Sequence, residues 1–219
     1  MHKIVQNLID IQKKIKLSLD NLTINKVPKI IAVSKTFGMD KISPLIDHGH
    51  LDFGENKVQE AIEKWSDVKS NNENIKLHLV GGLQTNKVKS AVRLFDFIHS
   101  VDSVKLAKKI SNEQQKQKKE LKIFIQVNIG DEQQKSGVDK SSVSNLYSYC
   151  KTLNLNVVGL MCIPPFEKSS EKFFKEMNML NRSLNLNELS MGMSSDYLDA
   201  IKNSATYVRI GSNIFGQRS

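Results

Sequence analysis

Two cationic residues occupy positions where apolar sequence makes a charge expensive. Lys35 directly follows the run Ile30-Ile31-Ala32-Val33-Ser34. A lysine in a desolvated pocket has a lowered pKa, and its neutral amine can form a Schiff base with an aldehyde. By position alone, an ordinary surface lysine at a strand exit is the simpler reading. Arg209 lies inside Tyr207-Val208-Arg209-Ile210. Burying a guanidinium without a partner is costly, so it requires an acceptor, either a carboxylate or a ligand atom. Glu55 is the candidate for an ion pair.

Hydroxyls and glycines recur near the C-terminus. Met191-Gly192-Met193-Ser194-Ser195-Asp196 places hydroxyls where a helix begins, with unpaired N–H groups and the positive end of its dipole. Ile210-Gly211-Ser212-Asn213 supplies a glycine that lets a phosphate approach the backbone. Ser194 or Ser195 can equally be a plain N-cap. Two such sites on neighbouring strands favour phosphate. His78 in LHLVGG and His99 after FDFI read as satisfied core residues rather than catalysts. No histidines pair at metal-ligand spacing, so no metal is expected. Neither GxGxxG nor GxxxxGK[ST] occurs. Cys150 and Cys162 belong to no CxxC motif and read as small core residues.

The elements that would position these residues alternate regularly. A helix is expected from Met1 to Leu22, with Ile4, Leu8, Ile11, Ile15 and Leu19 at helical spacing. Eight strand-like runs follow: VPKIIAVSK, LDFGEN, IKLHLVGG, FDFIHSV, LKIFIQVNI, NVVGLMCI, ELSMGM and TYVRIGSNIFG. Helical patterns separate them, with Ser43, Thr85, Ser103, Asp139 and Ser194 or Ser195 as expected caps and Pro44 at a first helical position. Regular β-α alternation implies a parallel sheet with both faces covered. Eight units predict an α/β fold, a single (β/α)8 TIM-type barrel over 1–219 with an extra N-terminal helix; an open doubly wound sheet is the alternative. In such barrels, chemistry gathers at the C-terminal strand ends. That rule selects Lys35, Glu55, Asn56, His78, Gly81, Gly82, His99, Asn128, Ser194, Ser195, Arg209, Gly211 and Ser212.

Composition narrows the function classes. The 219 residues carry a net charge of +9 and are 39% hydrophobic. The lysines are dispersed, and no aromatics interleave with the densest run, Lys116 to Lys122, so nucleic-acid binding is not expected. No apolar run approaches the roughly 20 residues of a membrane span. The N-terminus lacks the apolar stretch of a secretory signal, and cytoplasmic residence is the expectation.

Seven segments in order resemble a known family. They are AVSKT, FGENKVQE, HLVGGLQTNK, NIGDEQQKSG, GLMCIP, LSMGMSSD and VRIGSNIFGQR, and they span nearly the whole chain. Their order is similar to that in the YggS/PROSC-type pyridoxal 5′-phosphate (PLP) homeostasis proteins. The resemblance implies an alanine-racemase-like barrel with PLP on Lys35. It implies phosphate binding by Ser194, Gly211 and Ser212, Arg209 facing the pyridine nitrogen, and Asn56 and Met161 near the ring. Gly82 stands where proline is usual, and Ser212 where threonine is frequent; serine keeps the hydroxyl. The resemblance assigns no role to Lys135–Gly137.

PLP acts by drawing electrons into its ring, most strongly when the ring nitrogen is protonated. Arginine cannot take up that proton, so Arg209 would weaken the electron sink. This favours storing, delivering or sequestering PLP over transforming amino acids. The recipients would be apo PLP-dependent enzymes or small amines. A weak PLP-dependent racemase or lyase is the alternative, and a barrel binding another phosphate ester is a third reading. Alanine racemase takes a second base from a β-rich domain of its partner subunit. This chain ends soon after the barrel, so the expectation is a monomer and a carrier rather than an enzyme.

Overall fold

The computed structural model describes residues 2–20, 26–165 and 169–217. Its strands are β1 (Lys29–Val33), β2 (Asp52–Glu55), β3 (Lys76–Leu79), β4 (Phe97–Val101), β5 (Lys122–Val127), β6 (Asn156–Cys162), β7 (Glu188–Met193) and β8 (Tyr207–Ile210). All pair in parallel and in chain order, and β8 returns to β1 to close the barrel. The helices are α1 (Lys3–Asp20), α2 (Met39–Asp47), α3 (Val58–Asn71), α4 (Val88–Leu94), α5 (Val104–Gln117), α6 (Val143–Thr152), α7 (Ser170–Ser183), α8 (Tyr197–Lys202) and α9 (Ser212–Phe215). The predicted TIM-type barrel with an added N-terminal helix is the fold observed.

Alternation along each strand divides the buried residues into two cores. Ile30, Ala32, Phe53, Leu77, Leu79 and Ile98 join the layer between sheet and helices. Ile31, Val33, Phe97, Phe124, Met161 and Tyr207 fill the barrel itself. Each such side chain contributes about 1.5–3 kcal/mol through burial. α1 buries Ile4, Leu8, Ile11 and Ile15 on one stripe, and Asn7 Nδ2 donates to Ile214 O of α9 at 2.8 Å. The N-terminal helix is thereby tied to the last turn of the barrel.

Several local expectations differ from the structure. α2 starts at Met39 after Gly38, so Ser43 and Pro44 lie inside it; Ser43 Oγ donates to Met39 O at 2.8 Å. Thr85 and Asp139 cap nothing through their side chains, because 3-10 turns at Thr85–Lys87 and Lys140–Ser142 lead into α4 and α6. Those turns satisfy first-turn groups by tighter backbone bonding. Ser103 does cap α5, accepting from Leu106 N at 3.4 Å. The last strand stops at Ile210, and Ser212–Phe215 is helical. The expected helix end at Leu22 lies outside the described residues. Cys150 and Cys162 are free and buried, which pushes their thiols up to about 11 and about 12. Among the described residues no helix is long and apolar enough to cross a membrane.

Candidate active site at the barrel mouth

The exit of β1 is held by charges. Ser34 is wholly buried, and its hydroxyl donates to Glu55 Oε1 at 2.8 Å. Trp65 Nε1 of α3 donates to the same oxygen at 2.9 Å. Lys64 Nζ lies 2.8 Å from Glu55 Oε1 and donates to the carbonyls of Ser34 (2.8 Å) and Phe37 (3.0 Å). Thr36 has φ 68°, a left-handed conformation that costs a β-branched residue about 1–2 kcal/mol. Its N–H donates to Glu60 Oε1 at 2.6 Å, and Glu60 also accepts from Lys64 at 2.9 Å. Lys35 sits between Ser34 and Thr36, so its backbone is fixed on both sides.

Lys35 opens into a cavity of about 480 Å³ at the C-terminal ends of the strands. That volume is in the range of small-molecule sites. Asn56, Ser194, Arg209, Gly211 and Ser212 line the same cavity. Asn56 is set by close packing: a Cβ on Gly81 would overlap the Asn56 backbone carbonyl. A Cβ on Gly82 meets nothing, so the glycine in place of proline disturbs no contact. Arg209 is 5% exposed; Nη1 donates to Ser190 Oγ at 2.7 Å and Nη2 to Cys162 O at 2.8 Å. Burial lowers its pKa, against the nearby Cys162 and Asp196.

The far rim joins β7 to α9. Asp196, not Ser194 or Ser195, is the residue before α8, and Asp196 Oδ1 accepts from Met193 N at 2.6 Å. Ser194 Oγ accepts from Asn213 N at 3.4 Å, and Asn213 Nδ2 donates to Ser194 O at 2.8 Å. The serines therefore belong to the cavity rim rather than to a helix cap.

One expected placement is corrected. Glu55 does not pair with Arg209: it points into the helix layer toward Trp65 and Lys64, whereas Arg209 points into the barrel. Met161 is fully buried in the inner core, in the same cluster as Val33 of the cavity wall. His78 and His99 are wholly buried and lie outside the cavity wall, the core placement expected of them. Asn128 ties a loop: its N–H donates to Val138 O at 3.0 Å and its Nδ2 to Glu132 O at 2.9 Å. Gly137 in that loop has φ 125°, and a Cβ there would lie 2.5 Å from Asn128 N, so this turn requires glycine. Residue-type reasoning missed Phe37, Val80 and Ile163, apolar loop residues that carry no chemical signal, together with Met193 at the end of β7 and the polar Gln217. Among the described residues no cluster of metal-ligating side chains occurs.

Comparison with known proteins identifies the family. Residues 9–219 match the family model "Alanine racemase, N-terminal domain". A "Pyridoxal phosphate homeostasis protein" of Haemophilus influenzae is 35% identical, covering 99% of this chain and 96% of its own. The chain belongs to the alanine racemase N-terminal domain family, among the pyridoxal phosphate homeostasis proteins. The human pyridoxal phosphate homeostasis protein is 38% identical over 87% of this chain and 77% of its own. PipY of Synechococcus elongatus, a homologue whose structure was solved with PLP bound, is 31% identical. It superposes with a TM-score of 0.86, covering 97% of this chain and 100% of its own. Alanine racemase of Clostridium difficile is 16% identical at a TM-score of 0.73, covering 57% of that chain, and shares the fold.

Proposed function

We propose that this pyridoxal phosphate homeostasis family member holds PLP as a Schiff base on Lys35 and stores, delivers or sequesters it. The observation that carries the reading is the convergence of Lys35, Arg209, Ser194, Gly211 and Ser212 on one cavity. A lysine amine suits an aldehyde, hydroxyls beside a glycine suit a phosphate, and a donor-only guanidinium suits an unprotonated ring nitrogen. When bound, PLP supplies an electron sink. Lys35 anchors it, and the strained, ion-paired β1 exit fixes where the amine points. Ser194, Gly211 and Ser212 bind the phosphate, and Asn56 borders the ring. Arg209 keeps a proton donor at the nitrogen and supplies no acceptor for the nitrogen's own proton. The PLP bound in PipY supports the cofactor.

A weak racemase or lyase is the second reading, favoured by the likeness to alanine racemase. It needs a second base at the cavity, and buried His78 does not reach it. The carrier acts as a monomer on a free pool of PLP in the cytoplasm, with apo PLP-dependent enzymes or small amines as recipients. The test is to load the protein with PLP, remove the excess and add a PLP-free aminotransferase, in parallel with amino acids in deuterated water. The carrier reading expects recovered transaminase activity and no α-deuterium. Deuterium at the α-carbon at a catalytic rate, without transfer, would establish the enzyme instead.

A further inference from the structure

Four contacts, three of them fully buried, join five polar side chains end to end through the barrel. Asp52 Oδ1 lies 2.9 Å from His78 Nε2. His78 Nδ1 lies 3.0 Å from His99 Nε2, and His99 Nδ1 lies 2.9 Å from Ser190 Oγ. Ser190 Oγ accepts from Arg209 Nη1 at 2.7 Å. Asp52 opens β2 at the floor of the barrel, and Arg209 lies at its mouth. The histidines stack on Phe97 (4.2 Å) and Phe124 (4.3 Å) and have no solvent exposure.

The chemistry of the two ends assigns every proton between them. A carboxylate only accepts and a guanidinium only donates. His78 therefore donates from Nε2 to Asp52, and its Nδ1 is left as an acceptor. His99 donates from Nε2 to His78, and its Nδ1 accepts the Ser190 hydroxyl proton. Ser190 thus turns a lone pair toward Arg209. Neutral imidazoles meet this pattern with one donor and one acceptor each, and burial favours that neutral state in both rings.

We propose that Asp52, His78, His99 and Ser190 are positioning residues, a one-directional hydrogen-bond chain from floor to mouth that orients the Arg209 guanidinium toward the cofactor's ring nitrogen. The proposal rests on the PLP reading above. Its physical purpose follows from what an arginine in an apolar barrel needs. A carboxylate beside Arg209 would satisfy the guanidinium and compete with the ring nitrogen for its N–H groups. Here a hydroxyl whose own proton is committed downward satisfies one N–H, the chain's carboxylate stands four hydrogen bonds away, and Asp196, which acts on Arg209 through its charge, spends Oδ1 on Met193 N. A chain present only to fill space would be better built from apolar side chains, because partly satisfied polar networks destabilise a core.

The experiment uses His99→Asn and His99→Phe in the full chain, with PLP affinity and the melting temperature of the PLP-free protein measured for each. Asparagine puts a carbonyl near the position of Nδ1 and keeps an acceptor for Ser190; phenylalanine keeps the stack on Phe124 and offers none. The proposal expects His99→Phe to weaken PLP about tenfold while melting at or above the asparagine variant. It expects His99→Asn to stay within about threefold of wild type despite the lower melting temperature. Affinity that simply follows melting temperature, with phenylalanine the better binder, would overturn it. A second measurement needs no variant and no PLP: nitrogen-15 spectra of the histidine-labelled protein. Both buried rings are expected neutral with the proton on Nε2 between about pH 6 and 8. A proton on Nδ1 of either ring would overturn the chain. Failure of the wild type to bind PLP would defeat the functional reading, while the nitrogen spectra would still judge the chain itself.

Discussion

The two sides of the barrel mouth are built by different means. On the lysine side, β1, β2 and α3 enclose a buried ion pair, and Thr36 is held left-handed by a carboxylate. On the serine side, β7, β8 and α9 meet through neutral contacts between Ser194 and Asn213, with Ser212 exposed. The difference matches two tasks. A reactive amine must point in one direction, so the lysine side commits stability to holding one backbone segment. An anion needs donors with room to approach, so the serine side leaves Ser194 and Ser212 open to the cavity.

That contrast is broken or sharpened by substitutions on each side. The largest effect is expected for Glu55→Gln, which leaves Lys64 facing a neutral amide in a buried setting. It should lose about 3 kcal/mol in urea denaturation, the low end for breaking a buried pair because Glu60 remains beside Lys64. Ser212→Ala should do the reverse. PLP affinity should fall about tenfold or more, as for a lost hydrogen bond to a charged group, with stability changed by less than about 0.5 kcal/mol. Equal stability losses in the two variants would erase the distinction. Thr36→Asn should raise stability by about 0.5–1 kcal/mol, since asparagine tolerates the left-handed region better.

The smallest effect concerns Glu60. Its partial burial pushes the carboxyl pKa up, but the Thr36 N–H and the Lys64 ammonium outweigh this and hold it below the ordinary 4.5. A depressed folded pKa contributes stability above 4.5 that is lost as pH falls through the folded value. Glu60→Gln should therefore lower stability near neutrality and converge with wild type in acid. Parallel curves down to low pH would contradict the role given to Glu60.

The sequence discloses some of this and conceals the rest for identifiable reasons. Strands such as KIFIQV are legible because both faces of a parallel barrel strand are apolar. Lys35, Ser194, Arg209 and Gly211 are legible as polar or glycine residues at strand ends. The caps are less so, because a 3-10 turn replaces a side-chain cap without a distinct signature at Thr85 and Asp139. The partner of Arg209 is hidden because Ser190 lies on another strand, 19 residues away, while Glu55 faces the opposite side of its sheet. The brace on Lys35 is likewise invisible, since Lys64 lies 30 residues from the carbonyl it holds.

The most direct test of the central claim is the visible absorption spectrum of the protein mixed with PLP, beside Lys35→Ala. Borohydride reduction and peptide mapping of the wild type complete it. The account predicts a yellow Schiff-base band in the wild type, its loss on reduction with the added mass on the peptide containing Lys35, and no band in the variant. A colourless wild type, or a band that persists in Lys35→Ala, would contradict it.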